Sequence, residues 1–374
     1  CAKPWGWYIT AGKPSACSLS GGGRHCRLLQ IVGPLMEPLM RLRHEATGTI
    51  GLWNGAMGMS KKHRDRSWPP APEPLGTPVT DNHTHLAAVK EFAEEMSRQA
   101  AERGQEPVPV YTPDIMLDQA AAVGVHRVID VGCEFPYLHT AVDLARAHPG
   151  TVFSAVAIHP NETVLHGHRG AVGPDGLELD YKPWHDVPFD EALSEVERIA
   201  RENPKIVVAI GETGLDYFRT GEAARRFQRE AFSAHMALAR ELSLPMQIHD
   251  RDAHGDVIDL LLRNGAPERT VFHSYSAGPD VARAANEHGW YLSFSGTVSY
   301  KGNDSIREAL RIIDRHHILV ETDAPYLPPV PYRGRTNSPY MIPYTLRSMA
   351  DTLGMDAAAL ARMVEANTRE IYGI

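Results

Sequence analysis

Six residues that can bind metal ions or move protons stand at the ends of short apolar runs. Runs rich in Val and Ile and bounded by Gly are typical of strands that are buried on both faces of a parallel sheet. A His, Glu or Asp at the end of such a run has left the core and is available for chemistry. The six residues are His83, His85, Glu212, His249, His273 and Asp323.

Two of them, His83 and His85, form an H-x-H pair at the end of the first run. Side chains two residues apart on a strand point to the same side, so both imidazoles can reach one ion. The pair alone is weak evidence, because the chain has 19 His and a single histidine is more often structural. Four imidazoles and two carboxylates together exceed the needs of one tetrahedral ion with an open position. They predict two divalent ions, bridged by a carboxylate and a water, and leave Mg²⁺, Mn²⁺ and Zn²⁺ open.

Three further residues are predicted to contact the substrate. His159 ends the run AIHPN, and because a seventh ligand is unnecessary we expect it to contact a substrate phosphate. Arg251, two residues beyond His249, can bind a phosphate through its planar guanidinium, although a surface ion pair explains it nearly as well. Tyr326 can pack against a base or a sugar, and a role in shaping its turn is an adequate alternative.

The elements that must position these residues alternate between strand-like and helix-like segments. Such alternation predicts βαβ units and a parallel sheet, and eight units in about 300 residues favour a closed (β/α)₈ barrel. An open doubly wound sheet is the alternative, but no Gly-rich dinucleotide fingerprint follows the first strand. The predicted strands are 78–83, 125–132, 151–158, 206–211, 245–249, 270–273, 290–295 and 317–322.

Two connections are longer than a barrel requires, namely 87–111 after the first strand and 161–189 after the third. Loops that follow the strands of such a barrel lie on its catalytic face. We expect both insertions to border the site and to restrict which substrates reach it. Surface decoration that points away from the site is an equally good interpretation.

Residues 1–77 differ from the rest of the chain, and the predicted barrel domain is 78–374. Residues 1–58 show no sustained period of two or 3.6 and include the run Gly21–Gly23. We expect this extension to be disordered, or to precede a true start at Met57 or Met59. A targeting segment is less well supported, because no amphipathic pattern is present.

Composition indicates an ordinary globular protein. The formal net charge is −8 and the pI is about 6.2, so no global positive field can hold nucleic acid, and any attraction to DNA must be local. No stretch approaches the roughly 18 apolar residues of a membrane span. Three of the four Cys lie in the first 26 residues, which leaves no disulfide framework for the main fold. We therefore expect a cytoplasmic location.

A series of motifs along residues 78–374 resembles that of the TatD-like metal-dependent deoxyribonucleases, which belong to the amidohydrolase-type barrels. The resemblance implies a TIM barrel, a two-metal site and phosphodiester hydrolysis, with the same six residues as ligands and Glu212 as the bridge. Two departures are Thr84, where the family commonly has Cys, and NSP at 337–339, where it has Asn-Glu-Pro. The motifs are DNHTHL (81–86), AIHP (157–160), GETGLDY (211–217), QIHDRDA (247–253), FHSYSAG (272–278), ETDAPYLPP (321–329) and NTREIYGI (367–374).

The predicted function is therefore metal-dependent hydrolysis of DNA, from a strand end or on single strands, with Glu212 and Asp323 as catalytic residues. Asp323 is the candidate base that orients the attacking water while it binds one metal. One alternative keeps the metal site but makes the substrate an ester or amide, for example the ester of an aminoacyl-tRNA. Another is a barrel that has lost catalysis and acts as a binding module, although the intact ligand set argues against it. The sequence does not predict the oligomeric state.

Overall fold

The computed structural model describes residues 66–374. The predicted extension up to residue 65, including the candidate starts at Met57 and Met59, lies outside the described residues. Eight parallel strands form one sheet whose spatial order follows the chain, β1 to β8, with helices between them. The prediction of a (β/α)₈ barrel is therefore confirmed, and the open doubly wound alternative is excluded.

The bounds of the elements follow the predicted segments closely. The strands are β1 (Val79–Thr84), β2 (Val125–Gly132), β3 (Val152–Val156), β4 (Val207–Asp216), β5 (Met246–Arg251), β6 (Thr270–Phe272), β7 (Tyr291–Phe294) and β8 (Ile318–Val320). The helices are α1 (Leu86–Glu102), α2 (Pro113–Ala122), α3 (Tyr137–Ala147), α4 (Pro160–Thr163), α5 (Phe189–Glu202), α6 (Arg225–Leu242), α7 (His254–Asn264), α8 (Pro279–His288), α9 (Asp304–Ile312), α10 (Ile342–Leu353) and α11 (Ala357–Tyr372).

The helices cover the sheet because each carries one apolar stripe. In α5 the buried positions include Ala192, Val196 and Ile199, which recur at the spacing of a single helix face, while charged residues occupy the other side. Every residue of β4 is buried, as expected for a strand with the barrel interior on one side and helices on the other. The strands are therefore held rigidly, and the side chains at their C-terminal ends are positioned by the core.

Hydrogen bonds between β1 and the segment after β8 close the barrel. The carboxylate of Asp81 accepts from the backbone N of Thr322 at 2.9 Å and from its hydroxyl at 2.5 Å. The backbone N of Asp323 donates to the carbonyl of His83 at 3.0 Å. The first and last strands therefore bring residues from the two ends of the domain to one place.

The main difference from prediction concerns β4, which was expected at 206–211 and extends over Val207–Asp216. Glu212 has not left the core, as the sequence suggested, but lies within the strand and is 4% exposed. The strand continues because its pairing with β5 changes register once and then resumes. Gly214 permits this, since its φ is +142° and a Cβ there would lie 2.1 Å from the carbonyl oxygen of His249.

The two long connections have different structures. Most of 87–111 is helix α1, whereas 161–189 contains short helical turns and an isolated bridge between Val172 and Glu178. The second connection contacts the segment after β4, because the backbone N of Gly221 donates to the carbonyl of Val172 at 3.2 Å. A role of either connection in restricting substrates stays a prediction.

The described part of the predicted extension packs on the barrel. Leu75 is buried, and the hydroxyl of Tyr340 donates to the carbonyl of Pro69 at 2.7 Å. In the part of the chain covered by the structure, each helix is too short or too polar to cross a membrane.

Candidate metal centre

Glu212 lies at the centre of the predicted site, and its two carboxylate oxygens face different imidazoles. Oε1 lies 2.5 Å from Nδ1 of His249 and 2.7 Å from Nε2 of His273. Oε2 lies 3.6 Å from Nε2 of His83 and 3.7 Å from Nε2 of His85. A carboxylate placed between two groups of ligands has the arrangement that is needed to bridge two ions.

His83 and His85 are oriented by hydrogen-bond acceptors behind the site. Oε1 of Gln247 lies 3.0 Å from Nδ1 of His83, and the carbonyl oxygen of Val131 lies 3.0 Å from Nδ1 of His85. An acceptor at Nδ1 keeps a proton on that nitrogen and leaves Nε2 to face the site. Both imidazoles thus direct Nε2 towards Glu212.

Carboxylates orient the other two imidazoles. Oε1 of Glu321 lies 3.2 Å from Nδ1 of His273, and Oδ2 of Asp216 lies 3.2 Å from Nε2 of His249. His249 therefore faces Glu212 through Nδ1, whereas His273 does so through Nε2. A carboxylate behind a ligating histidine fixes its tautomer and increases its basicity.

Asp323 completes the set of six predicted residues. Its Oδ1 lies 3.6 Å from Nε2 of His85, and its backbone adopts a left-handed φ of 54°. The side-chain nitrogen of Asn337 donates to the carbonyl oxygens of Thr322, at 2.9 Å, and Tyr326, at 2.6 Å. Asn337 therefore holds the loop that carries Asp323, in the same NSP segment where the sequence departs from the related motif.

The state of His83 tests whether these residues suit a metal ion. Burial lowers the pKa of His83 below 6.5, and the positive charge of His273 lowers it further. Within residues 66–374, the buried Nε2 of His83 has no hydrogen-bond partner. A buried, unprotonated nitrogen has a free lone pair, and beside a carboxylate this lone pair can bind a divalent cation. The donor set of imidazole nitrogens and carboxylate oxygens therefore fits such an ion.

The other imidazoles show that the site attracts positive charge. Burial opposes a charge on His85, yet hydrogen bonding to Asp323 and the charge of Glu212 raise its pKa from 6.5 to about 9. Burial also opposes a charge on His249, whereas Asp216 and Glu212 raise its pKa to about 9. A metal ion and a proton compete for the same nitrogen lone pairs at these positions.

His159 lies in the same cluster but presents a donor to it. Its Nε2 is 3.3 Å from Oε1 of Glu212, and its Nδ1 accepts a hydrogen bond from the backbone N of Asn161 at 3.0 Å. Since Nδ1 is an acceptor, the neutral ring carries its proton on Nε2. Proximity alone would group His159 with Glu212 and His249 as metal ligands. The tautomer argues against that grouping and favours the predicted phosphate contact.

The predicted contact Tyr326 lies beside one of the predicted ligands, and Arg251 packs on a neighbouring aromatic ring. The ring of Tyr326 is edge-on to that of His85, with centroids 6.4 Å apart. The guanidinium carbon of Arg251 lies 3.9 Å from the centroid of the Phe218 ring. Arg251 therefore stacks on an aromatic ring, and its contact with a substrate phosphate stays a prediction.

Sequence reasoning missed a second arginine beside Arg251. Burial lowers the pKa of Arg219, Asp216 opposes this shift, and the charge of Arg251 adds to it. The two guanidiniums are therefore close enough to repel each other, and Tyr326 also acts on Arg219. The run RTGEAARRFQR (219–229) contains four Arg and one acidic residue, a local excess that could have indicated this group.

Another cluster of ionisable residues lies in the long connection after β3. Glu162, His166 and His185 each offer a ligand atom within 4.8 Å of the others. Nδ1 of His185 accepts from the backbone N of Lys182 at 2.9 Å, so its Nε2 carries the proton that is donated to Glu162 at 2.7 Å. Nδ1 of His166 bonds to the carbonyl of Val187 at 2.8 Å. These bonds hold the connection together, and we assign them a structural role.

Comparison with known proteins found a matching family model and similar sequences. The family model described as TatD related DNase matches residues 80–373. A protein of Mycobacterium tuberculosis, named uncharacterized metal-dependent hydrolase TatD, is 36% identical over 265 residues, which cover 69% of this chain and 90% of that protein. The uncharacterized metal-dependent hydrolase YcfH of Escherichia coli K12 is 33% identical over 263 residues, which cover 70% of this chain and 88% of that protein.

Solved structures agree on the fold. The crystal structure of YjjV, a TatD homologue from Escherichia coli K12, matches with a TM-score of 0.62 at 22% identity. The match covers 79% of this chain and 98% of that chain. At this level of identity the likeness concerns the arrangement of the barrel alone.

Proposed function

Because this chain belongs to the TatD-related DNase family of metal-dependent hydrolases, we propose that it hydrolyses phosphodiester bonds of DNA with two divalent metal ions. Oε2 of Glu212, with His83, His85 and Asp323, would hold one ion. Oε1 of Glu212, with His249 and His273, would hold the other. When bound, such ions stabilise negative charge on phosphate oxygens and lower the pKa of a water.

The side chains of this protein supply the remaining chemistry. Asp323 accepts a proton from the attacking water, whose oxygen bonds to phosphorus while the bond from phosphorus to the leaving sugar oxygen breaks, and the released oxygen takes a proton from solvent. The N–H at Nε2 of His159 donates to a phosphate oxygen. Gln247, Asp216 and Glu321 keep the imidazoles in their required orientation.

The observation that carries the proposal is that the donors around the cluster suit an anion. His159 presents an N–H beside Glu212, and the guanidiniums of Arg219 and Arg251 lie near the ends of β4 and β5. Two guanidinium groups match the charge of a phosphodiester. A neutral ester or amide carries no negative charge that these donors could bind.

The depth of the site favours a strand end or a single strand. Glu212 is 4% exposed and His83 is fully buried, so a scissile bond has to enter the barrel mouth to reach them. A flexible strand can bend into such a recess, whereas a duplex is wide and stiff. We therefore propose single strands or strand ends as the substrate.

The test is cleavage of end-labelled single-stranded DNA by the full chain, with Mg²⁺, Mn²⁺ or Zn²⁺ and with a chelator. We expect metal-dependent loss of label that Glu212→Gln abolishes, because the variant keeps the shape of the side chain but loses its charge. Leu262→Ala, at an exposed apolar position on α7, serves as the matched control and should cleave as the unaltered chain does.

One result would decide against the proposal, and another would show that the preparation is contaminated. A folded, metal-loaded chain that leaves single-stranded and duplex DNA intact would refute deoxyribonuclease activity. Hydrolysis of an aminoacyl ester by the same preparation would then establish the ester hydrolase alternative. Cleavage that is equally fast with a chelator and with Glu212→Gln would indicate a contaminating nuclease.

A further inference from the structure

Phe218 is a large aromatic side chain that the fold leaves open to solvent. It follows β4, two residues after Asp216, and is 45% exposed. A phenyl ring so close to a barrel core is usually buried, because the transfer of its apolar surface out of water is favourable. An exposed phenyl ring at the end of a barrel strand, beside a candidate active site, is therefore available for a ligand.

Arg251 supports Phe218 from a neighbouring strand. It ends β5, and its guanidinium carbon lies 3.9 Å from the centroid of the Phe218 ring. The backbone N of Tyr217 donates to the carbonyl of Arg251 at 2.9 Å, which fixes the two strand ends to each other. The ring and the guanidinium thus form a stacked pair, which we call the Phe218 platform, on a rigid part of the barrel.

The platform adjoins the metal centre through one residue. Asp216 pairs with Arg251 across the sheet, and its Oδ2 lies 3.2 Å from Nε2 of His249. The backbone N of Arg219 donates to the other carboxylate oxygen of Asp216 at 2.9 Å. A substrate whose phosphate is held beside Glu212 would therefore carry its neighbouring nucleotide close to Phe218.

Positive charge continues from the platform along the same segment. The guanidinium carbon of Arg225 lies 4.2 Å from the centroid of the Tyr217 ring, and Arg229 donates to the Tyr217 hydroxyl at 3.1 Å. Arginines interleaved with aromatic rings are typical of surfaces that bind single-stranded nucleic acid, where bases stack and phosphates meet cations. Asp256 accepts from the Tyr217 hydroxyl at 2.5 Å and lies 3.6 Å from Arg229, so it offsets the charge of Arg229, while the run 219–229 still holds more Arg than acidic residues in a chain of net charge −8.

We propose that the Phe218 platform is a nucleobase-binding subsite, in which one base of the strand stacks on Phe218 while Arg219 and Arg251 bind the adjoining phosphate. The proposal rests on the deoxyribonuclease function proposed above and extends it, because it makes the substrate a base-bearing single strand. A base unpaired from its partner can present its face to Phe218, whereas a base within a duplex is already stacked on both sides.

The test compares two oligonucleotides of equal length, one of thymidine and one in which abasic tetrahydrofuran residues replace some nucleosides. The full chain should cleave the thymidine strand with kcat/KM about tenfold higher, since stacking on an aromatic side chain contributes an effect of this order. Phe218→Ala should bring this ratio close to one, mainly through a higher KM for thymidine. Phe218→Trp should preserve the ratio.

Two further variants separate stacking from other effects. Phe218→Leu keeps an apolar side chain without an aromatic face and should lose the preference as Phe218→Ala does. Arg251→Gln should reduce the slope of log affinity against log salt concentration by ~0.7, the value for one lost phosphate contact on a single strand. Leu262→Ala should retain both the preference and the slope.

The outcomes also separate this proposal from the one on which it rests. If Phe218→Ala cleaves DNA and keeps the full preference for thymidine, the nucleobase subsite is refuted while the nuclease function stands. If the unaltered chain neither cleaves the thymidine strand nor binds it in a fluorescence anisotropy titration, the proposed function itself has failed. An unaltered chain that cleaves both strands equally also contradicts the subsite.

Discussion

Oε1 of Gln247 lies 3.0 Å from Nδ1 of His83, at the base of the candidate metal centre. Gln247 is held in turn, since its Nε2 donates to the carbonyl of Asn82 and to the hydroxyl of Tyr372, both at 2.8 Å. The orientation of the most deeply buried imidazole of the site thus depends on a neutral amide on β5 and on a hydroxyl from the last helix.

The first prediction concerns this amide. Gln247→Leu removes the acceptor that keeps the proton on Nδ1 of His83, and metal affinity should fall about 10- to 100-fold. Gln247→Glu, which keeps an acceptor at this position, should bind metal more tightly than Gln247→Leu does. Calorimetric titration of the chelator-treated proteins measures the affinities. Equal affinity for Gln247→Leu and the unaltered chain would show that the hydrogen bond does not orient the ligand.

The second prediction separates His159 from the metal ligands. If Nε2 of His159 carries a proton and donates to a phosphate oxygen, His159→Ala should lower kcat/KM for DNA about 100-fold. The variant should still bind the same number of metal ions, measured by elemental analysis after gel filtration. His249→Ala is the comparison and should lose metal. Loss of an ion from His159→Ala would instead place His159 among the ligands.

The third prediction concerns the close approach of β4 and β5. Gly214→Ala introduces a Cβ that would lie 2.1 Å from the carbonyl oxygen of His249, at a φ of +142°. The free energy of unfolding should fall by about 2 kcal/mol or more, because overpacking and backbone strain add. Urea denaturation measures this effect. Gly255→Ala is the control, since no atom lies within 4 Å of its Cβ position, and it should be neutral or stabilising.

The fourth prediction is a dependence of stability on pH that arises outside the metal centre. Nδ1 of His235 donates to the carbonyl of Ala231 at 2.8 Å, and its Nε2 accepts from the backbone N of Ile158 at 3.1 Å. Burial lowers the pKa of His235 from 6.5 to about 4. The unfolded chain therefore binds a proton below pH 6.5 that the folded chain excludes until about pH 4.

The contribution of His235 is thus fully present above pH 6.5 and is lost as the pH falls towards 4. Relative to His235→Gln, which does not titrate, the unaltered chain should lose about 2–3 kcal/mol of unfolding free energy between pH 7 and pH 4.5. Urea denaturation of both proteins at each pH isolates this effect, because all other groups titrate in both. A constant difference between the two proteins would show that His235 is protonated in the folded state.

The sequence predicted the barrel and the six side chains that meet at its mouth because both depend on local patterns. Short apolar runs and amphipathic segments determine the strands and helices, and His83, His249 and His273 all stand at or near the ends of such runs. Glu212 was placed outside the core because the run before it ends at Gly211, which resembles the end of a strand. Only the pairing of β4 with β5, a non-local relationship, shows that the strand continues past it.

The residues that orient the predicted ligands, or that lie beside them, were harder to predict than the ligands themselves. Gln247 and Glu321 flank predicted ligands in sequence, but their roles depend on which way the strand turns them and on partners far along the chain. Phe218 and Arg219 lie in a loop without periodicity, so their proximity to Arg251 follows only from the neighbouring positions of β4 and β5. The tautomer of His159 decides whether its Nε2 is a hydrogen-bond donor or a metal ligand. It depends on one backbone N–H, that of Asn161, and cannot be predicted from the sequence.

Closure of the barrel by Asp81 and Thr322, which are 241 positions apart in the chain, has a consequence for biosynthesis. His83 and His85 are synthesised before Asp323, which follows β8 and is held there by contacts with β1. A nascent chain that has completed six or seven strands has Glu212 opposite His85 but lacks Asp323, the second carboxylate beside that imidazole. The set of six predicted ligands is therefore complete only after residue 323 has been added, and a fragment that ends before β8 lacks both Asp323 and the contacts with β1 that hold it.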